Sequence, residues 1–80
     1  MLLEILTPDK KIYSGKVNLV KLPGTKGTFE VLKNHAPIIS TLEKGTIKVV
    51  EENGNELFFE VDGGVAENKD NKIIVLAESV

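Results

Sequence analysis

The sequence contains no cysteine, and all ten of its basic residues are lysine. Without cysteine there is no disulfide framework, no thiolate nucleophile and no cysteine-ligated metal. Without arginine the chain lacks the planar fork that grips phosphate and carboxylate, and it cannot supply an arginine finger. A lone His35 cannot assemble a histidine metal site. Long apolar runs are also missing: the longest, Ile73 to Ala77, is far too short to cross a bilayer, and Met1-Leu2-Leu3 meets an acid at Glu4 before any signal sequence develops. No direct membrane insertion and no visible secretion signal are therefore expected. Nor is there an excess of positive charge. A formal net charge of −2, with acids and lysines interspersed, argues against nucleic acid as a partner.

What is present is enough for one small core. Eighty residues with 41% hydrophobic and 28% charged side chains are expected to fold as a single domain over residues 1–80. Strand signals dominate it. Thr46-Ile47-Lys48-Val49-Val50-Glu51 and Glu56-Leu57-Phe58-Phe59-Glu60-Val61 alternate apolar and polar residues. Asn53-Gly54 between them suits a two-residue turn with positive φ at both positions, so the pair is predicted to be an antiparallel hairpin. Lys16 to Leu22 begins with Val17 and Leu19 in phase and shifts to Val20 and Leu22, a slip that a β-bulge near Leu19 would absorb. Pro23-Gly24, Lys26-Gly27, Asn34-His35-Ala36-Pro37, Lys44-Gly45 and Asp62-Gly63-Gly64 punctuate the remaining runs, and Glu67 to Lys72 forms a polar hairpin tip. The spacing predicts an all-β fold, a small two-sheet antiparallel β-sandwich of about eight to ten short strands.

The chemistry-bearing residues are sparse. His35 lacks a cysteine partner and any Gly-x-Ser-x-Gly elbow, so shaping a turn or meeting a partner suits it better than general-base catalysis. Gly24-Thr25-Lys26-Gly27-Thr28-Phe29-Glu30 contains glycines but not the Gly-Lys-Ser/Thr ending of a phosphate loop. Phe58 is out of phase with Leu57, Phe59 and Val61, so on a simple pleat it faces away from their core, where an exposed aromatic would mark a partner surface; cover by a loop or by the opposite layer is the favoured expectation. Glu51, Glu52 and Glu60 are expected on a solvated face. Lys69, near the tip of the last hairpin, gives an alternative function: attachment point of a lipoyl- or biotinyl-type carrier domain, although the usual flanking pattern is absent.

The order of motifs resembles one family along the whole chain. The matching elements are Leu3 to Pro8, Tyr13-Ser14-Gly15, Gly24 with Gly27, His35-Ala36-Pro37, Ser40-Thr41 and Gly45-Thr46-Ile47. Phe59 to Val61 running into Gly63-Gly64-Val65, and then Val75-Leu76-Ala77, complete the series. Together they resemble the N-terminal domain of the epsilon subunit of F-type ATP synthases. That resemblance implies a ten-strand sandwich that performs no reaction and needs no cofactor. It implies a rotor subunit of the central stalk, linking the gamma subunit to the polar loops of the c ring and coupling ion flow to ATP synthesis. The implied location is peripheral, at the cytoplasmic face of the inner (plasma) membrane. Carried over by position, Thr7, His35, Ser40 and Thr41 would face gamma, and Thr28 and Glu30 the c ring. The departures are Asn34 where the family often has glycine, Phe29-Glu30 in the loop, and an end at Glu78-Ser79-Val80 where family members continue into a helical hairpin. That hairpin inhibits ATP hydrolysis and in some members binds ATP, so neither property is expected of these residues.

Overall fold

The computed structural model describes every residue from Met1 to Val80. Eight strands follow one another: β1 (Leu2–Leu6), β2 (Lys11–Gly24), β3 (Gly27–Leu32), β4 (Ile38–Leu42), β5 (Gly45–Glu51), β6 (Glu56–Val61), β7 (Gly64–Lys69) and β8 (Lys72–Ala77). The predicted all-β architecture holds, with the pairing order β1-β8-β7-β4 on one side and β3-β2-β5-β6 on the other. β2 joins the two. Its first half pairs with β1, its middle with β5 and β3, and Gly24 at its end meets Leu42 of β4. The Tyr13-Ser14-Gly15 step and the Lys16-to-Leu22 run are thus one continuous strand.

The bulge predicted near Leu19 is where the phase slips. Val17 pairs with Glu51 and Leu19 with Val50, so one extra residue lies between two consecutive partners. As a result Val17, Val20 and Leu22 all turn inward and are fully buried. They meet Val31, Ile47, Val49 and Val61 from their own side and Leu3, Ile5, Leu42, Ala66, Ile73, Val75 and Ala77 from the facing strands in one core cluster. Alternation accounts for these choices, since every second residue of a strand points to one face.

Two expectations about pairing are corrected. β1 and β8 run parallel, with Leu2 opposite Lys72 and Leu6 opposite Leu76, where antiparallel sheets were expected throughout. The chain ends are far apart in sequence, so no tight turn dictates their direction. The β5–β6 hairpin forms as predicted, but its turn has three residues. The Gly54 N–H donates to the Glu51 carbonyl at 2.9 Å and the Glu51 N–H to the Asn55 carbonyl at 2.8 Å. Only Gly54 takes positive φ, at 92°. This is the arrangement of a type I turn followed by a left-handed residue, and the side chain of Asn53 completes it by accepting from the Asn55 N–H at 3.0 Å. The turn with two positive-φ residues lies instead at Asp70 (53°) and Asn71 (63°), joining β7 to β8.

At the start of β7 the backbone packs closely. Gly64, with φ of 146°, sits so near β8 that a Cβ there would collide with the Leu76 carbonyl oxygen. Only glycine fits this bend.

Candidate functional site: a groove and an aliphatic sheet face

The strand register determines which side chains share the outer face of the β4-β7-β8-β1 sheet. Thr41, Val65, Leu76 and Leu6 form one cross-strand row, and Ile39, Glu67, Ile74 and Glu4 the next. Ile39 is 71% exposed and Leu76 55%. Five aliphatic side chains thus lie together on the side away from the core, broken by Glu67 and by Glu4. The Glu4 carboxylate is held by Lys11 at 3.3 Å and Lys72 at 3.7 Å. An aliphatic field of this kind on a small domain marks a candidate partner surface. The sequence alone did not group these residues on one outer face, yet the signal was there. Ile73-Ile74-Val75-Leu76-Ala77 is apolar at every position, so if one face of the strand fills the core the other is also apolar and seeks cover.

Beside this face lies an open groove of about 590 Å³, walled by Gly24 to Phe29 on one side and Ile38 to Thr41 on the other. It brings together Thr28, Ser40 and Thr41, three of the residues carried over from the family. The Thr41 hydroxyl is 2.8 Å from that of Thr25, and the Ser40 hydroxyl donates to the Thr41 carbonyl at 3.1 Å. Phe29 packs against the core cluster and Lys26 is the one charged residue of the lining.

The other carried-over residues lie elsewhere. Thr7 follows β1, across the sheet from β4, and its N–H and hydroxyl both donate to the Lys10 carbonyl. Glu30 lies on the outer face of the second layer, opposite Lys21. His35 is exposed in the turn before β4, with its ring Nδ1 2.8 Å from the Ala36 carbonyl. That turn is fastened from behind. The buried Asn68 amide donates to the carbonyls of His35 and Ala36, both at 3.1 Å, and the Asn34 N–H donates to the Asn71 side chain. Asn34 takes φ of 65°, a conformation glycine adopts freely and asparagine tolerates.

Two further expectations fail on the second layer. Phe58 is 61% exposed and uncovered, because β6 is an edge strand and nothing packs over its outer side. Glu51 is no free surface acid: the Tyr13 hydroxyl donates to its carboxylate at 2.6 Å, and the Tyr13 ring packs against Phe59 with centroids 5.6 Å apart. Burial, then the hydrogen bond to Glu51, then its negative charge push the Tyr13 hydroxyl up to about 12.

These features define a class: a small β-sandwich whose outward features are a hydroxyl-rimmed groove and an aliphatic face. The family model for the ATP synthase delta/epsilon chain β-sandwich domain matches residues 1–80, and the chain belongs to that family. It is 41% identical over 78 residues to an ATP synthase epsilon chain of Chlorobaculum tepidum, covering 98% of this chain and 89% of that protein. It is 43% identical to the corresponding chain of Desulfatibacillum aliphaticivorans, covering 99% of this chain but 56% of the relative. In fold it resembles a chain in the cryo-EM structure of Euglena gracilis mitochondrial ATP synthase, OSCP/F1/c-ring, with a TM-score of 0.90 at 20% identity over 99% of this chain and 51% of that one. The carrier reading finds no support: Lys69 pairs with Lys72 at the base of the last hairpin, whose tip is Asp70-Asn71.

Proposed function

We propose that this chain is the β-sandwich part of an ATP synthase epsilon subunit, a non-catalytic piece of the central stalk that fastens the gamma subunit to the c ring. The observation that carries the reading is the aliphatic face of Leu6, Ile39, Val65, Ile74 and Leu76, in a chain whose whole length matches the family model. An exposed aliphatic field of this kind favours a partner that covers it. In this reading Thr7, His35, Ser40 and Thr41 border the gamma contact. Thr28 and Glu30 meet the polar loops of the c ring, and the complex sits peripherally at the cytoplasmic face of the membrane. The task is mechanical: torque passes through contacts, and no bond is made or broken by the domain.

Co-expression with the gamma subunit of the same source, followed by size-exclusion chromatography, tests this directly. Co-elution as one complex is expected. Separate elution of two well-folded proteins would refute the reading.

A further inference from the structure

The groove beside β4 has a property that its size does not reveal: one of its walls is an unpaired strand edge. Along a strand, successive carbonyls point to opposite edges, so residues two apart share a side. The Thr41 carbonyl accepts the Thr25 N–H at 3.0 Å, away from β7. The N–H and C=O of Ile39 therefore point the same way, into the groove, beyond the reach of the short Gly24–Leu42 contact where β2 meets β4. β7 occupies the opposite edge of β4 along its whole length. Across the groove stand Phe29 and the Thr25–Thr28 hairpin end.

We infer that this edge accepts an extended segment of the gamma-type partner, which adds as a further strand next to β4 and lies beneath the Gly24–Phe29 hairpin. The inference rests on the function proposed above and says how that contact is made. Three observations define the occupant. The free donor and acceptor of Ile39 require a backbone in strand conformation, since a helix has no unpaired groups to offer along its side. The groove is lined on its inner side by Phe29 and Ile38, so alternate side chains of the added strand are apolar. Lys26 is the only charge in the lining, so an acidic residue belongs at the hairpin end of the segment. The site is also continuous with the aliphatic face: the Ile39 side chain stands on that face while its backbone faces the groove, so one added strand would carry the sheet and its apolar surface onward together.

The open edge is bounded by Pro37 just before the strand and is otherwise little protected. Exposed edges are commonly blunted by lysine, proline or a bulge. β4 reads Ile38-Ile39-Ser40-Thr41-Leu42, without charge or proline, and its pairing with β7 shows no register shift. The edge strand β6, by contrast, carries Glu56 and Glu60.

The test uses the complex with the gamma subunit and two measurements. In hydrogen–deuterium exchange, the Ile39 amide should exchange fast in the free chain and gain at least about tenfold protection on complex formation, as an added strand requires. Ile39→Pro removes that N–H from the open edge, where proline is tolerated, and should weaken gamma binding at least about tenfold more than Ile39→Ala, which trims the same side chain but keeps the N–H; equal losses in the two variants would overturn strand addition. A complex that forms with the Ile39 amide unprotected overturns strand addition and leaves the rotor reading intact. No complex at all refutes both. If the isolated chain dimerises with the same amide protected and gamma does not compete, the edge serves a second copy of this chain and the inference fails.

Discussion

The two outer faces of the sandwich are built from the same kinds of strand and end very differently. On the β4-β7-β8-β1 side, aliphatic residues stand next to one another across four strands. On the β3-β2-β5-β6 side the corresponding row reads Glu30, Lys21, Lys48 and Phe58, so charge separates the one exposed aromatic from any apolar neighbour in its row. Leu32, Leu19 and Val50 form a second row there, closed at the edge by Glu56, whose carboxylate lies 3.9 Å from Lys48. The comparison shows that exposure of single hydrophobic residues is a poor guide to a partner surface. Phe58 is more exposed than Leu76, yet Leu76 belongs to a continuous field and Phe58 does not.

The sharpest way to break this comparison is to disturb the sheet that carries the aliphatic face. Gly64→Ala places a methyl group against the Leu76 carbonyl at a positive-φ position. A loss of roughly 3 kcal/mol or more is expected, read by chemical denaturation. At Gly54 on the other sheet the surroundings are open and only backbone strain counts. Gly54→Val should cost on the order of 1–2 kcal/mol. Equal losses at the two glycines would contradict the close approach of β7 and β8. A functional comparison comes next: Leu76→Lys is expected to weaken gamma binding by at least about tenfold with stability unchanged, whereas Phe58→Lys should alter it by less than about threefold. Isothermal titration of both variants decides the matter, and the reverse order would assign the partner to the second face.

The smallest effect concerns Tyr13. Tyr13→Phe removes the hydrogen bond to Glu51 and should cost about 1 kcal/mol near neutral pH. The native tyrosine keeps its proton until about 12, while the unfolded one ionises near 10.0. Its contribution is therefore complete below pH 10 and is lost as pH rises through 12. Melting temperatures of the native chain and the variant, measured across that window, should converge. A constant gap would show that Glu51 does not hold the hydroxyl.

Much of the architecture was legible in the sequence because alternation and punctuation are local. Ile47 with Val49, and Leu57 with Phe59 and Val61, could be placed on inner faces by phase alone, and the slip after Val17 foretold a bulge. What remained hidden was long-range. Nothing local says that Leu2–Leu6 lies parallel to Lys72–Ala77, or that Tyr13 meets Glu51 across 38 positions. Turn chemistry misled in one place: Asn-Gly favours a two-residue turn, but three residues closed the β5–β6 loop, and the left-handed pair went to Asp70-Asn71. The groove was half visible. Family position brought Thr28, Ser40 and Thr41 forward, but only the pairing of β4 with β7 reveals a vacant edge between them.

Strand β2, fourteen residues from Lys11 to Gly24, belongs to both layers at once. Because one covalent backbone is stitched into each sheet, the layers cannot slide over each other without tearing its ladders with β1, β3 or β5. Relative motion of the two layers is therefore opposed by the backbone hydrogen bonds of a single strand, a restraint that side-chain packing alone would not give.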